Sequence, residues 1–314
     1  MSVCLVTGGA GFIGSHVVDA LVSRGDSVRI VDDLSTGSRT NVRTSSKVEF
    51  VQADLAEPGV ASIAVDGVEW VVHLAAIPSV PRSVRDPART HRANVEGTQA
   101  LLLASRDANV RRVVQASSSS IYGESETLPK HEGMQPSPLS PYALHKLIAE
   151  QYASLYTRLY GLETVSLRFF NVFGPRQSPG SQYSGVISLF TAALLEDRSP
   201  TIYGDGEQTR DFTYVSDVVD GILRALSTPG VSGQAINLAR GDRTSVNSLY
   251  AMLQRATGVE RDALYEEPRT GDIRDSQADI SRARKLLGFE PGVTVEEGLR
   301  RTVEWQRTNG VQRT

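Results

Sequence analysis

Only one cysteine, Cys4, occurs in the chain, so an internal disulfide is excluded and a reducing cytoplasm is the expected setting. Its place in an apolar run makes it a small core residue rather than a nucleophile. The five histidines, His16, His73, His91, His131 and His145, show no metal-ligand spacing, and no metal is expected. No run of about 18 apolar residues exists, which argues against a transmembrane helix and a membrane role. Neither sign of charge dominates: the net charge is −3, so there is no basic footprint for nucleic acid or an anionic membrane. The first strand candidate starts at residue 3, so no signal peptide is expected. Internal repeats and low-complexity tracts are absent too. What remains is an ordinary composition, 40% hydrophobic and 22% charged over 314 residues, enough for one large domain or two small ones.

The informative stretch is the first 21 residues, MSVCLVTGGAGFIGSHVVDAL. Residues 3–7 are apolar and β-prone, the length of one buried parallel strand. Gly8, Gly9, Gly11 and Gly14 come next, and Ile13, Val17, Val18 and Leu21 then repeat at helical spacing. In Gly8-x-x-Gly11-x-x-Gly14, the first glycine permits a tight turn. The second lets backbone approach a pyrophosphate, and the third lets helix pack on strand. The helix N-terminus offers unpaired N–H groups to the phosphates. An ordinary tight turn would carry similar glycines. The context that favours a dinucleotide is a second strand, 27–31, ending in Asp32-Asp33. A carboxylate about 20 residues past the glycines bonds the ribose hydroxyls of NAD and repels the 2′-phosphate of NADP.

Further strands are predicted at 47–52, 69–76, 110–116 and 162–169, and helices at 90–106 and 142–159. Strands alternating with helices imply an α/β fold with a doubly wound parallel sheet of Rossmann type. Asp54, at the end of the third strand, would cap a loop or bond the adenine amino group; both readings stay open. Leu55 is its neighbour. Leu74, Ala75 and Ala76 end the fourth strand with small residues that let a cofactor lie close. The segment 77–87, with Pro78, Pro81 and Pro87, reads as a loop. The next helix opens near Asn94. Ser117 to Ser120 form a polar end to the fifth strand. After Asn171 the pattern changes: helices at 186–195, 215–227, 245–257 and 295–308, strands at 200–203 and 235–238, and a polar loop at 267–276. The expected division is a Rossmann domain over 1–170 with a returning segment near 213–238, and a smaller interleaved lobe from 171–212 and 239–314.

In such a sheet, ligands bind beyond the carboxyl ends of the strands. Tyr142-x-x-x-Lys146 opens a helix there, and residues at this spacing share a helix face. An ammonium beside the phenol would lower its pKa and make Tyr142 a base near neutral pH. A surface Tyr and Lys on an amphipathic helix would show the same spacing.

Taken together, TGGAGFIG (7–14), Asp32, SSSSIYG (117–123), SPYALHK (140–146) and RFFNVFGPR (168–176) resemble the extended short-chain dehydrogenase/reductase family. Within it, YGDGEQTRDFTYV (203–215) and RTGDIRDS (269–276) are similar to the nucleotide-sugar epimerase branch, so the resemblance spans almost the whole chain. The resemblance implies roles. Tyr142 accepts the proton, Lys146 bonds the nicotinamide ribose, and Ser118 bonds the C4 oxygen of the sugar. Gly8, Gly11, Phe12, Ile13, Gly14, Asp32, Asp33, Asp54 and Leu55 would hold NAD with Leu74, Ala75, Ala76, Asn94 and Ser117. Asn171, Tyr203, Arg210 and Arg269 would hold the UDP, and Asp272 its ribose; arginine suits phosphate oxygens. A turn cap at Asn171 and solvated arginines are the plain alternatives. No partner beyond a UDP-sugar and a second copy of the chain, paired through the helices near 90–106 and 142–159, is implied.

Family members share oxidation at C4 and differ in the fate of the 4-keto sugar. Dehydratases carry Asp and Glu after the catalytic hydroxyl; here Ser119 and Ser120 stand there and cannot act as acid or base. The economical outcome is 4-epimerisation, with a dehydratase or a non-catalytic binding protein as alternatives. Seven residues past Arg269, where galactose epimerases use tyrosine to exclude 2-acetamido groups, Ser276 leaves space. Ser79, Arg82 and the serine run also resemble epimerases of N-acetylated or uronic UDP-sugars. UDP-N-acetylglucosamine is the expected substrate, with UDP-glucuronate and UDP-glucose as alternatives.

Overall fold

The computed structural model describes residues 2–178, 185–268 and 273–310. In chain order the elements are β1 Val3–Thr7, α1 Phe12–Arg24, β2 Ser27–Asp32, β3 Val48–Gln52, α2 Val60–Ala64 and β4 Trp70–His73. Next come α3 Val80–Arg85, α4 Pro87–His91, α5 Gly97–Asp107, β5 Arg112–Ser118, α6 Pro141–Tyr160, β6 Glu163–Phe169 and β7 Asn171–Phe173. They are followed by α7 Val186–Leu195, β8 Thr201–Tyr203, β9 Thr209–Arg210, β10 Phe212–Tyr214, α8 Val215–Ser227 and β11 Gln234–Leu238. The described chain closes with β12 Thr244–Ser245, α9 Val246–Thr257, β13 Leu264–Glu266, α10 Ser281–Leu287 and α11 Val295–Asn309.

Seven of these strands form one parallel sheet in the order β11-β6-β5-β4-β1-β2-β3. The chain winds outward one way through β1, β2 and β3 and the other way from β4. The crevice therefore lies between β1 and β4, where the order reverses. Side chains along β1 alternate as a doubly covered strand requires. Cys4 and Val6 enter a core shared with Val17, Val18 and Leu21 of α1 and with α8. Leu5 enters the opposite core with Leu101 and Leu102 of α5. Burial pushes the Cys4 thiol up to about 12, so it is inert packing, as its sequence context implied.

Two expectations need correction. The segment 77–87 is not all loop, because α3 spans Val80–Arg85. Ser79 caps it by accepting from the Arg82 N–H, and Pro81 sits in its first turn, where proline lacks nothing a helix needs. The helix expected over 90–106 is likewise not one continuous α-helix. It starts as α4 at Pro87, passes through a π-turn at Arg92–Glu96, and resumes as α5.

The shorter elements after β6 are tied down by Asp211, which is fully buried. Its carboxylate accepts the N–H groups of Arg240, Gly241 and Ala278, and its backbone carbonyl accepts the N–H of Asn171. Burial pushes this carboxyl up to about 7 against the pull of the three N–H donors. One residue thus joins, through its carboxylate and its backbone carbonyl, β7, the strand end after β11 and the segment leading to α10. Among the described residues no helix is long and apolar enough to cross a membrane, and no acid–histidine–cysteine cluster could hold a metal.

Candidate active site

The glycine turn shows why its residues are small. Gly8 adopts φ +69°, and a Cβ there would lie 2.7 Å from the Ala75 nitrogen at the end of β4. At Gly14 a Cβ would stand 2.1 Å from the Gly8 carbonyl oxygen. Only bare backbone allows α1 to start this close to β1. That helix begins with no side-chain cap on its first turn and no acid within it, so its N–H groups face open space. A Cβ on Gly11 would meet only the Gly8 oxygen, at 3.1 Å, and would stand in that space. The cradle fits a diphosphate.

Asp32 ends β2 beside it. Its carboxylate accepts the N–H groups of Ala10 and Leu34 at 2.9 and 2.8 Å. Burial raises its pKa and the two N–H donors lower it. Two lone-pair positions on the carboxylate remain for ribose hydroxyls. Asp33 is turned to its own loop, accepting from the backbone and hydroxyl of Ser35.

A cavity of about 780 Å³ runs from this turn across the sheet edge. Its walls include Gly8, Gly11, Phe12, Ile13, Gly14, Asp32, Asp33, Asp54, Leu55, Leu74, Ala75 and Ala76. Ser79, Arg82, Ser117, Ser118, Tyr142, Lys146 and Asn171 also line it. Asp54 does cap its loop, accepting from the Ala56 N–H, and it also pairs with Arg92. Asn94 stands behind the wall instead. It is buried, and its amide bonds both backbone groups of Ile77, which itself faces the cavity.

Tyr142 and Lys146 lie on the first turns of α6. Ser140 caps this helix by accepting from Ala143, and Pro141 occupies the first turn. The Tyr142 N–H donates to the Ser83 hydroxyl from α3 at 3.0 Å, which fixes the helix start against the loop after β4. The Tyr142 phenol hydrogen-bonds Ser118 at the end of β5. Lys146 donates to the Ala116 carbonyl at 2.9 Å. The expectation that Lys146 depresses Tyr142 does not hold here. Burial pushes the phenol above its usual value, opposed by the bond from Ser118, with no contribution from the lysine. Burial brings the Lys146 ammonium down to about 8. Beneath them His73, bonded to Thr7 and Thr98 on its two nitrogens, is held neutral by burial, its pKa down to about 3.

Several expected residues lie off the described cavity wall. Ser119 and Ser120 continue past β5 in a short turn, and Ser120 bonds the Ser118 hydroxyl at 2.8 Å. Arg210 holds the carbonyls of Thr209 and Arg274. The Ser276 N–H donates to the Thr209 carbonyl, so Ser276 lies beside Arg210. The carbonyl of Tyr203 accepts from Gln208. Arg269 and Asp272 fall outside the described residues. Thr36, Gly37 and Gln177, given no role by sequence reasoning, line the cavity, as does Phe170 of the 168–176 motif; the bond from the Tyr142 N–H to Ser83, in the 79–83 loop, is not legible from sequence either. No periodic or motif signal marks Thr36, Gly37 and Gln177, apart from their closeness to residues already singled out.

The family model "NAD dependent epimerase/dehydratase family" matches residues 4–239. A UDP-glucose 4-epimerase of Mycolicibacterium smegmatis is 42% identical over 308 residues, 96% of this chain and 98% of that protein. The UDP-N-acetylglucosamine 4-epimerase of Methanobrevibacter ruminantium, solved with UDP-N-acetylmuramic acid, superposes with TM-score 0.94 at 38% identity, covering 98% of each chain. The UDP-glucuronic acid 4-epimerase of Bacillus cereus, solved with UDP-glucuronic acid and NAD, gives TM-score 0.90 at 32% identity, over 98% of this chain and 99% of that one.

The pKa of Lys146 sets a pH dependence of stability. Folded, it is about 8; the ordinary value is 10.5. Between these the unfolded chain binds more protons, so stability should rise with pH, by up to about 3 kcal/mol. Urea titrations of the NAD-stripped protein from below pH 8 to above pH 10 should show this rise. Lys146→Met should flatten it, and an unchanged slope in the variant would refute the assignment.

Proposed function

The chain belongs to the NAD dependent epimerase/dehydratase family and is an NAD-dependent UDP-sugar 4-epimerase; we propose that it interconverts UDP-N-acetylglucosamine and UDP-N-acetylgalactosamine. The observation that carries the catalytic reading is the meeting of Ser118, Tyr142 and Lys146 on the wall of the cavity that holds the glycine turn. Bound NAD supplies a hydride acceptor for C4 of the sugar and the hydride that returns to it. Tyr142 takes the proton of the C4 hydroxyl and later gives it back. Ser118 bonds the C4 oxygen and, through its bond to the phenol, favours the phenolate. Lys146, with its pKa near 8, stays mostly protonated at neutral pH and holds the nicotinamide ribose. For the 4-epimer to form, the cavity would have to let the oxidised sugar present its other face to the bound cofactor. Ser119 and Ser120 add no acid or base, which favours epimerisation over dehydration.

The N-acetyl preference is supported by small side chains. Ala76, Ser79, Ser117 and Ser118 line the cavity, and Ser276, off that wall, stands at the position the resemblance gives to a size gate. In this reading Asn171, Tyr203, Arg210, Arg269 and Asp272, from the lobe of 171–212 and 239–314, hold the nucleotide. A second reading, UDP-glucuronate, is favoured by Arg82 on the cavity wall, which could pair with a uronate. We also propose a homodimer through α5 and α6. Leu103 and Leu144 are exposed on these helices, and Leu147, Ile148 and Tyr152 are half-buried.

Tyr142→Phe should lower turnover by roughly 10²–10⁴-fold while NAD and UDP-sugar still bind. More than half the activity remaining would remove Tyr142 as the base. Against a panel of UDP-sugars, kcat/KM should be highest for the N-acetylated pair. Ser276→Tyr should cost that pair about ten- to a hundredfold more than UDP-glucose. Equal losses would show that Ser276 gates nothing, and activity confined to UDP-glucuronate would replace the substrate. Light scattering at micromolar concentration should give twice the chain mass; a monomer would exclude the dimer.

A further inference from the structure

Behind the cavity wall lies a buried polar network that the reaction itself does not use. Glu150 is one helical turn past Lys146 on α6 and is 6% exposed; Arg168 on β6 is 4% exposed. Arg168 grips both carboxylate oxygens of Glu150, with Nε 3.0 Å from Oε2 and Nη2 on Oε1. Oε2 also accepts the Ser117 hydroxyl at 2.9 Å. Ser117 is the register partner of Arg168 across β5 and β6, and Ser118 is the next residue. The free arm of Arg168 donates to the Tyr122 hydroxyl at 2.8 Å, which donates to Asn237 on β11 at 2.6 Å. Each guanidinium nitrogen of Arg168 and each carboxylate oxygen of Glu150 has at least one partner in this chain of contacts.

A buried ion pair is a poor source of stability. The desolvation of two charges offsets much of their attraction, and apolar replacements of similar volume often match it. What a bidentate guanidinium–carboxylate pair does supply is fixed geometry. Here it joins two elements that carry different members of the catalytic group. α6 brings Tyr142 and Lys146, while the end of β5 brings Ser118. The bond from Ser118 to the Tyr142 phenol crosses between them.

We propose that Glu150 and Arg168 are positioning residues that set α6 against the end of β5, and so set the distance from Ser118 to Tyr142. This rests on the reading of Ser118, Tyr142 and Lys146 as the catalytic group. The test replaces both charges, Glu150→Met with Arg168→Met, and separately makes Glu150→Gln. For each variant the thermal midpoint, bound NAD, KM and kcat are measured. The double variant should keep its midpoint within a few degrees, its NAD, and a KM within about threefold. Its kcat should fall roughly ten- to a hundredfold, the scale of misplaced reacting groups. Should the double variant fail to fold, Glu150→Gln is judged by the same split. A folded, NAD-loaded variant with wild-type kcat overturns the proposal. So does a loss of midpoint, NAD and kcat together in both variants, which would make the pair a stability element. Tyr142→Phe decides the underlying reading separately: wild-type kcat in the double variant beside an inactive Tyr142→Phe enzyme counts against the pair alone.

Discussion

The approach of α1 to β1 is the constraint on which the rest depends. A single methyl group at Gly14 would overlap the Gly8 carbonyl, so the helix can start where it does only because two glycines face each other. That start aims unpaired N–H groups over the sheet edge, and the reversal of strand order between β1 and β4 opens the crevice they face. β4 then ends in Ala75, whose backbone nitrogen would touch any side chain on Gly8. The same crevice receives the ends of β5 and β6 and the start of α6. The glycine turn and the side chains proposed as catalytic therefore share one cavity by topology.

Burial, more than charge, sets the chemistry of this cavity. His73, Tyr142 and Lys146 are all displaced toward their neutral forms, and desolvation is the largest cause in each case. The charged groups on the cavity wall are Asp32, Asp33, Asp54, Arg82 and Lys146, with the buried phenol and imidazole kept toward neutrality. The charges that are fully neutralised sit one layer back, in the Arg168–Glu150 pair, where they constrain position.

Much of this is legible from sequence because it is local. The β1-turn-α1-β2 unit, the acid that ends β2 and the Tyr142–Lys146 spacing each depend on residues within a few turns of one another. The placement of Ser118 and Asn171 comes from strand ends. What escapes depends on distant partners. Ser83 bonds the Tyr142 N–H across 59 positions, and Asp211 binds N–H groups 29, 30 and 67 positions away. The α3 helix reads as loop in the sequence because its prolines look like breakers, although Pro81 falls in the first turn, where the ring is harmless. The lysine effect expected on Tyr142 fails for an energetic reason. Spacing puts both groups on one helix face, but Lys146 donates to the Ala116 carbonyl, and desolvation is the largest cause acting on the phenol and on the ammonium alike.

The central claim is that this cavity carries out a hydride transfer that is undone within each turnover. The most direct measurement is rapid-mixing absorbance in the reduced-nicotinamide band of the NAD-loaded protein after addition of UDP-N-acetylglucosamine. A transient rise that returns to baseline while UDP-N-acetylgalactosamine accumulates is the predicted result. Sugar interconversion with a flat trace at every temperature and time resolved, or reduction that persists with no 4-epimer formed, would contradict it.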